Sequence, residues 1–323
     1  MKIVIENKIP YIQGLLEPYG EVVYLAPEDI TAEAVRDADA LFVRTRTRVD
    51  AGLLEGSRVK FVATATIGTD HIDLDYCRRR GVTAINAPGC NAPAVAQYVF
   101  AALDSLEIDP EGKTLGVVGV GHVGRLVEAM GRERGWEVLR CDPPRARVEG
   151  EDGFTDLATL MADSDVVTFH VPITREGEDA TYHLCNRLTL NQTQRTPLII
   201  NAARGPVVDT AALVDALRSG LVSGAVIDCW EGEPKISLDL LNMAAIATPH
   251  IAGYSREGKQ RATAMVVSAF LDYLGLEGAQ RPDCPAVALP TAPYDISRDD
   301  AALRREPYSF EKLRNTYKYR DEN

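Results

Sequence analysis

Apolar residues in this chain gather in short continuous runs, and between the runs they recur every three or four positions. The first runs, at 2–5, 21–25, 40–44 and 60–64, are rich in β-branched and aromatic residues and predict strands. Helical spacing over 31–37 and 71–81, the second closed by Gly81, predicts helices between them. Pro93 opens a further helix that runs through Leu103. Strands are then expected at 113–118, 137–141, 164–172, 197–202, 224–228 and 244–250, with a helix over 210–219 that stops at Gly220. A long helix over 255–274 follows. The runs are apolar at consecutive positions, as in strands covered on both faces of a parallel sheet. The pattern predicts an α/β protein: two Rossmann-like doubly wound parallel-sheet domains, one of them discontinuous, plus a short C-terminal extension.

The extension, 281–323, differs in character. Prolines at 282, 285, 290 and 293 predict an irregular, extended stretch. A short helix over 309–317 would then place Phe310, Leu313 and Tyr317 on one face. A helix of that length is marginal alone in water, so it must dock on its own chain or on a second subunit.

One turn carries more information than the rest. The run ending at Val118 leads into Gly119-Val120-Gly121-His122-Val123-Gly124, the spacing of a dinucleotide-binding turn at the start of a helix. Gly119 permits the tight turn, Gly121 lets backbone approach a pyrophosphate, and Gly124 lets helix pack on strand. The amides of the helix start would face the phosphates, aided by the helix dipole. Asp142 ends the next strand about 20 residues on, where an acid would take the adenosine ribose hydroxyls and repel a 2′-phosphate. NAD is therefore the expected cofactor. The domains expected are a substrate-binding domain of residues 1–95 and 255–280, an NAD-binding domain of 96–254, and the extension.

Composition narrows the partners. The formal net charge is −12, which disfavours nucleic acid and anionic membranes. No apolar run approaches a membrane span, and Met1 opens directly into a strand. The six cysteines are scattered, with neither zinc spacing nor a disulfide framework, so no metal is expected and a reduced cytoplasmic setting fits.

In parallel sheets, ligands sit beyond the carboxyl ends of the strands, so the residues just after each run are the candidates. They include Arg204, Asp228, Glu233 and His250. A base, a carboxylate and a guanidinium in that setting suit hydride transfer from a secondary alcohol. His250 would take the hydroxyl proton. Glu233, if bonded to it, would stabilise the imidazolium, and Arg204 would hold a carboxylate and polarise the carbonyl oxygen. Each alone could be structural; their joint placement is the signal. Arg44, Arg46 and Arg48 fall at alternate positions after a strand and would share one face if the chain stayed extended, a pocket for phosphate or carboxylate with Arg44 the favoured member.

These segments also carry a resemblance. Asn201-Ala202-Ala203-Arg204-Gly205, Asp228-Cys229-Trp230-Glu231-Gly232-Glu233-Pro234 and Pro249-His250-Ile251-Ala252 resemble the D-specific 2-hydroxyacid dehydrogenases, in order over nearly all of 1–275. More narrowly, Thr64 to His71, Ala87 to Ala92, Cys141 to Arg145, His250 to Tyr254 and Arg298 to Arg304 resemble the branch of that family acting on 4-phospho-D-erythronate. That branch forms 2-oxo-3-hydroxy-4-phosphobutanoate in pyridoxal 5′-phosphate biosynthesis.

The resemblance implies Arg204, Glu233 and His250 as the catalytic set. It implies cofactor contacts at His122, Val123, Asp142, Val171, Ala202, Ala203, Asp228 and Gly253, beside the three glycines, and substrate contacts at Thr45, Thr66 and Tyr254. A small anionic phosphorylated 2-hydroxy acid would be the substrate and a homodimer the assembly. Gln97 stands where the wider family commonly has Glu, and Val171 where a threonine is usual, so a contact there would run through backbone. The extension is shorter than the dimerisation domain of longer relatives. Two other readings stay open from sequence: another member of the family, such as a phosphoglycerate dehydrogenase or hydroxypyruvate reductase, and an NADH-sensing corepressor-like binding protein.

Overall fold

The computed structural model describes residues 1–323. By contacts the chain forms two units, Met1–Asn91 with Ser255–Val287 and Ala92–Tyr254 with Ala288–Asn323.

The first unit is built on β1 (Lys2–Glu6), β2 (Glu21–Leu25), β3 (Ala40–Val43), β4 (Phe61–Thr64) and β5 (Thr83–Ile85). They make one sheet in the order β2-β1-β3-β4-β5, every neighbouring pair parallel. β3 and β4 are buried at every position, as their unbroken apolar runs require, while the edge strands β2 and β5 are half-covered. The helix Arg256–Tyr273 lays Phe270 on one face, with ring centroids 5.3 Å from Phe42 and 4.8 Å from Phe61. Arg261 of that helix is buried and donates to the carbonyls of Cys90, Pro285 and Ala286, tying residues 285–286 to this unit.

Two local expectations differ from the structure. Residues 31–37 form successive turns and no helix. The Ala34 amide donates to Thr31 Oγ1, and the Arg36 and Ala38 amides reach back only three residues. The helix expected over 71–81 shrinks to Leu74–Arg79, because Asp73 caps it by accepting the Tyr76 amide at 2.8 Å.

The second unit holds β6 (Thr114–Val118), β7 (Glu137–Cys141), β8 (Val166–Phe169), β9 (Leu198–Asn201), β10 (Gly224–Ile227) and β11 (Ile246–Ala247). The sheet order is β11-β10-β9-β8-β6-β7, again parallel throughout. The chain reverses its path across the sheet between β6 and β8, which makes their carboxyl ends the ligand crevice.

The C-terminal segment docks on its own chain. Leu303 and Phe310 are fully buried in the core beside β8 to β10. The helix Ser297–Arg305 covers the outer edge of β11: Asp300 accepts the Ala247 amide at 2.7 Å, and Arg304 donates to the Leu241 and Ala244 carbonyls. An exposed strand edge is thereby closed.

Candidate active site

The glycine turn sits at the crevice between β6 and β8. Gly119 has φ +86°, and a Cβ there would meet Val171 Cγ1 at 2.7 Å and the His170 carbonyl at 2.8 Å. A Cβ on Gly124 would lie 2.0 Å from the Gly119 carbonyl oxygen, so glycine is required for the helix to reach the strand end. Gly121 faces open space, and no side chain caps the helix His122–Glu133 behind it. Its first-turn amides are thus available to an external phosphate, which fits a pyrophosphate-bearing cofactor. His122 is exposed and Val123 half-buried on that turn. Asp142, at the end of β7, accepts the Val120 amide on Oδ2 at 2.8 Å and the Arg145 amide on Oδ1 at 3.1 Å. Each oxygen keeps a second lone pair for a ribose hydroxyl.

The catalytic candidates gather at the ends of β9 to β11. Asn201 closes β9 and braces the next turn, its Nδ2 donating to the Arg204 and Cys229 carbonyls and its Oδ1 accepting the Ala203 amide. Ala202 and Ala203 are buried and Arg204 is half-buried. Asp228, at the end of β10, is 1% exposed. It accepts the Thr248 hydroxyl (2.7 Å), the Ile251 amide (2.7 Å) and the Ala252 amide (2.9 Å), so as it stands it works on the protein itself. These bonds, with Tyr98 and Trp230 holding Thr248, fix the turn that carries His250. His250 has φ +57°, a left-handed conformation that costs a non-glycine residue about 1–3 kcal/mol unless its surroundings enforce it. Here the buried Asp228 network does. Gly253 follows on the same turn, half-buried.

His250 Nδ1 lies 2.8 Å from Glu233 Oε2, and Glu233 Oε1 accepts the Trp230 amide at 2.8 Å. Burial would raise the Glu233 carboxyl, but His250, the Trp230 amide and Arg314 together hold it below the usual value. It is a carboxylate at neutral pH and sets the imidazole's orientation, with Nε2 taking no bond from the chain. Cys229 adjoins the pair; burial and then Asp228 push its thiol well up, so it is a neutral side chain that donates to Ala203 O at 3.4 Å.

Two residues of this neighbourhood escaped the sequence reading. Arg314, from the helix Phe310–Asn315, donates to the Tyr254 hydroxyl at 3.1 Å and comes within 3.9 Å of Glu233. Arg320 donates to the carbonyls of Ile251, Ala252 and Tyr254, the turn just after His250. The available signal was modest: Arg314 stands four residues after Phe310, on the docking face of its helix.

The substrate candidates of the first unit surround its own switch point, the carboxyl ends of β1 and β3. The chain does not stay extended after β3. The Arg44 amide donates to the buried Glu6 at 2.8 Å, and Thr47 turns back, its amide to Arg44 O and its hydroxyl to Glu6. The shared arginine face expected at 44, 46 and 48 therefore does not form, and Arg48 pairs with Asp50 at 2.7 Å. Arg44 Nη1 donates to Lys8 O at 2.9 Å, and Thr45 is exposed beside it. Thr66 bonds Thr64 at 2.7 Å, which in turn meets His71 at 3.1 Å. Burial lowers His71 to about 4, so it is neutral and fixes the two hydroxyls without adding charge.

Comparison with known proteins accounts for both units. Residues 96–252 match the family described as D-isomer specific 2-hydroxyacid dehydrogenase, NAD binding domain. Erythronate-4-phosphate dehydrogenase of Bacteroides fragilis is 45% identical, over 100% of this chain and 97% of its own length. That of Azotobacter vinelandii is also 45% identical, over 98% of this chain and 89% of its own. Among solved structures, D-lactate dehydrogenase from Aquifex aeolicus, complexed with NAD and lactic acid, aligns with a TM-score of 0.72 and 26% identity over 88% of this chain and 100% of that one. With a glycine turn built for a dinucleotide and a carboxylate-braced imidazole at the strand ends, this chain belongs to the erythronate-4-phosphate dehydrogenases, a branch of the D-isomer specific 2-hydroxyacid dehydrogenase family.

Proposed function

We propose that the chain carries out the NAD-dependent oxidation of 4-phospho-D-erythronate, at its C2 hydroxyl, to 2-oxo-3-hydroxy-4-phosphobutanoate. Bound NAD supplies the hydride acceptor. Gly119, Gly121, His122, Val123, Gly124, Asp142, Val171, Ala202, Ala203, Asp228 and Gly253 are the residues that would hold it. Arg44, Thr45, Thr66 and Tyr254 would hold the acid, and Arg204 its carboxylate and developing carbonyl oxygen. His250 Nε2 would take the hydroxyl proton while Glu233 stabilises the imidazolium so formed. The observation that carries this reading is the 2.8 Å contact from Glu233 to His250 Nδ1, which turns the other ring nitrogen outward.

The test is steady-state NADH formation with 4-phosphoerythronate, 3-phosphoglycerate, glycerate and lactate. The first should exceed the others in kcat/KM, and His250→Ala should cut kcat by about 10²–10⁴-fold while NAD still binds. NADH binding without turnover of any acid would favour a redox-sensing role. A homodimer in the cytoplasm belongs to the same reading, and sedimentation of the purified protein measures the assembly.

A further inference from the structure

Three arginines of the C-terminal segment, Arg304, Arg314 and Arg320, reach back to residues of the second unit before 255, and one of them is incompletely employed. Arg304 spends its terminal nitrogens on the Leu241 and Ala244 carbonyls, and Arg320 spends its own on carbonyls of Ala94, Ile251, Ala252 and Tyr254. Arg314 does not. Its side chain is only 19% exposed, its Nε donates to Tyr254 Oη at 3.1 Å, and Nη1 approaches Glu233 at 3.9 Å, beyond hydrogen-bond distance. Both terminal nitrogens therefore keep donors that no protein group takes and that are not sealed from solvent, open to an incoming anion. Glu233 does not complete the guanidinium: its oxygens meet His250 and the Trp230 amide at 2.8 Å each and stay 3.9 Å from Arg314 Nη1. Both Arg204 and Arg314 bear electrostatically on the Cys229 thiol, which lies beside Glu233 and His250.

We infer that Arg314 is a second substrate-binding guanidinium, taking an anionic oxygen of the acid with its terminal nitrogens while Tyr254 fixes the fork through Nε. The inference rests on the dehydrogenase reading above. A bracing role would have used backbone carbonyls, as its two neighbours do. Lysine could not substitute, because one group must hold the Tyr254 hydroxyl and present a planar pair of donors at once. The acid offers such oxygens at its carboxylate and at its phosphate, and the experiment separates them.

Full-length R314M and R314K are compared with the parent protein by thermal melting, NADH affinity, and kinetics on 4-phosphoerythronate and erythronate. Melting and NADH affinity should stay unchanged, while KM for 4-phosphoerythronate rises about tenfold or more in R314M, with little rescue in R314K. If the contact is phosphate, kcat/KM for erythronate is unaffected; if carboxylate, both acids lose alike. A KM within twofold of the parent, or a loss confined to kcat with a shifted pH profile, overturns the inference and makes Arg314 a brace for Glu233. Titration of NADH-loaded protein with inorganic phosphate and with tartronate keeps the question separate from turnover. R314M should weaken one of the two anions about tenfold even if the parent oxidises no acid tested, and equal binding of both would refute the assignment.

Discussion

Gln97 and Arg320, 223 residues apart in sequence, meet at 2.8 Å, Gln97 Oε1 accepting the Arg320 Nε–H. The amide's other end donates to the carbonyls of Ala292 and Asp321, and the guanidinium goes on to the carbonyls of the turn after His250. A glutamine is the fitting residue, since the position needs an acceptor for one neighbour and donors for two others. The buried helix Ala92–Ser105 and the C-terminal segment thereby hold the turn after His250 from outside.

Replacing Gln97 by Glu keeps the acceptor and adds charge opposite Arg320, but points a carboxylate oxygen at two carbonyl oxygens. With Gln97 only 5% exposed, the lost donors should outweigh the ion pair, costing about 1–3 kcal/mol in denaturant unfolding. Arg320→Met removes the whole set and should cost roughly 3 kcal/mol or more and lower kcat. Parent-like melting and turnover in both variants would show that the turn needs no such brace.

Asp142→Asn tests cofactor choice. Asparagine keeps one acceptor oxygen, so it can hold the Val120 or the Arg145 amide but not both, and the charge is lost at a local cost of about 1–3 kcal/mol. Arg145 is occupied by Glu149 and the Val120 carbonyl, and Arg140 by Gly153 and Glu128, so neither stands ready for a 2′-phosphate. The NAD-over-NADP preference in kcat/KM should narrow about tenfold, chiefly through weaker exclusion of NADP. An unaltered ratio would place the ribose elsewhere.

Arg44→Ala should raise KM for phosphorylated acids about tenfold or more and leave unphosphorylated ones nearly unchanged, because one terminal nitrogen is anchored to Lys8 O and the other is available. Equal effects on both classes would show that Arg44 does not meet the phosphate.

Stability should fall with acid in a defined window. Burial lowers His71 to about 4 and His170 to about 3, against about 6.5 for an unfolded histidine. Between those values the unfolded chain binds more protons, so stability rises with pH across roughly 3 to 6.5 and is flat above. Glu233, depressed below its usual carboxylate value, adds stability above about 4.5 that is lost as pH falls further. Urea unfolding at about pH 5 should show a lower midpoint than at about pH 7.5, and His71→Gln with His170→Gln should remove most of the difference. A midpoint that does not move would mean these imidazoles are hydrated.

Every strand but β5 was legible from its apolar run, whereas Thr83-Ala84-Ile85 is too short and too exposed to stand out. The cofactor turn was legible because Gly119 and Gly124 answer steric demands and Gly121 leaves open space between them. That Arg204, Glu233 and His250 follow strand ends was legible, and the structure places Glu233 against His250. The arginine ladder after β3 was misread because alternation says nothing about whether backbone stays extended, and the buried Glu6 captures it into a turn. Arg314 and Arg320 were invisible for a related reason. Their partners lie 60 or more residues away, and although Arg314 falls on the docking face of a predicted helix, local spacing does not say which group it meets.

The order in which the chain visits its two units has an effect on inheritance as well as on form. Residues 255–287 serve the first unit, yet the second is finished only by residues after them. No single cut in the gene therefore yields one fragment for each unit, and recombination that exchanged the whole second unit between relatives would have to move two separated stretches. Such interleaving favours change by point substitution within each sheet over the shuffling of whole modules.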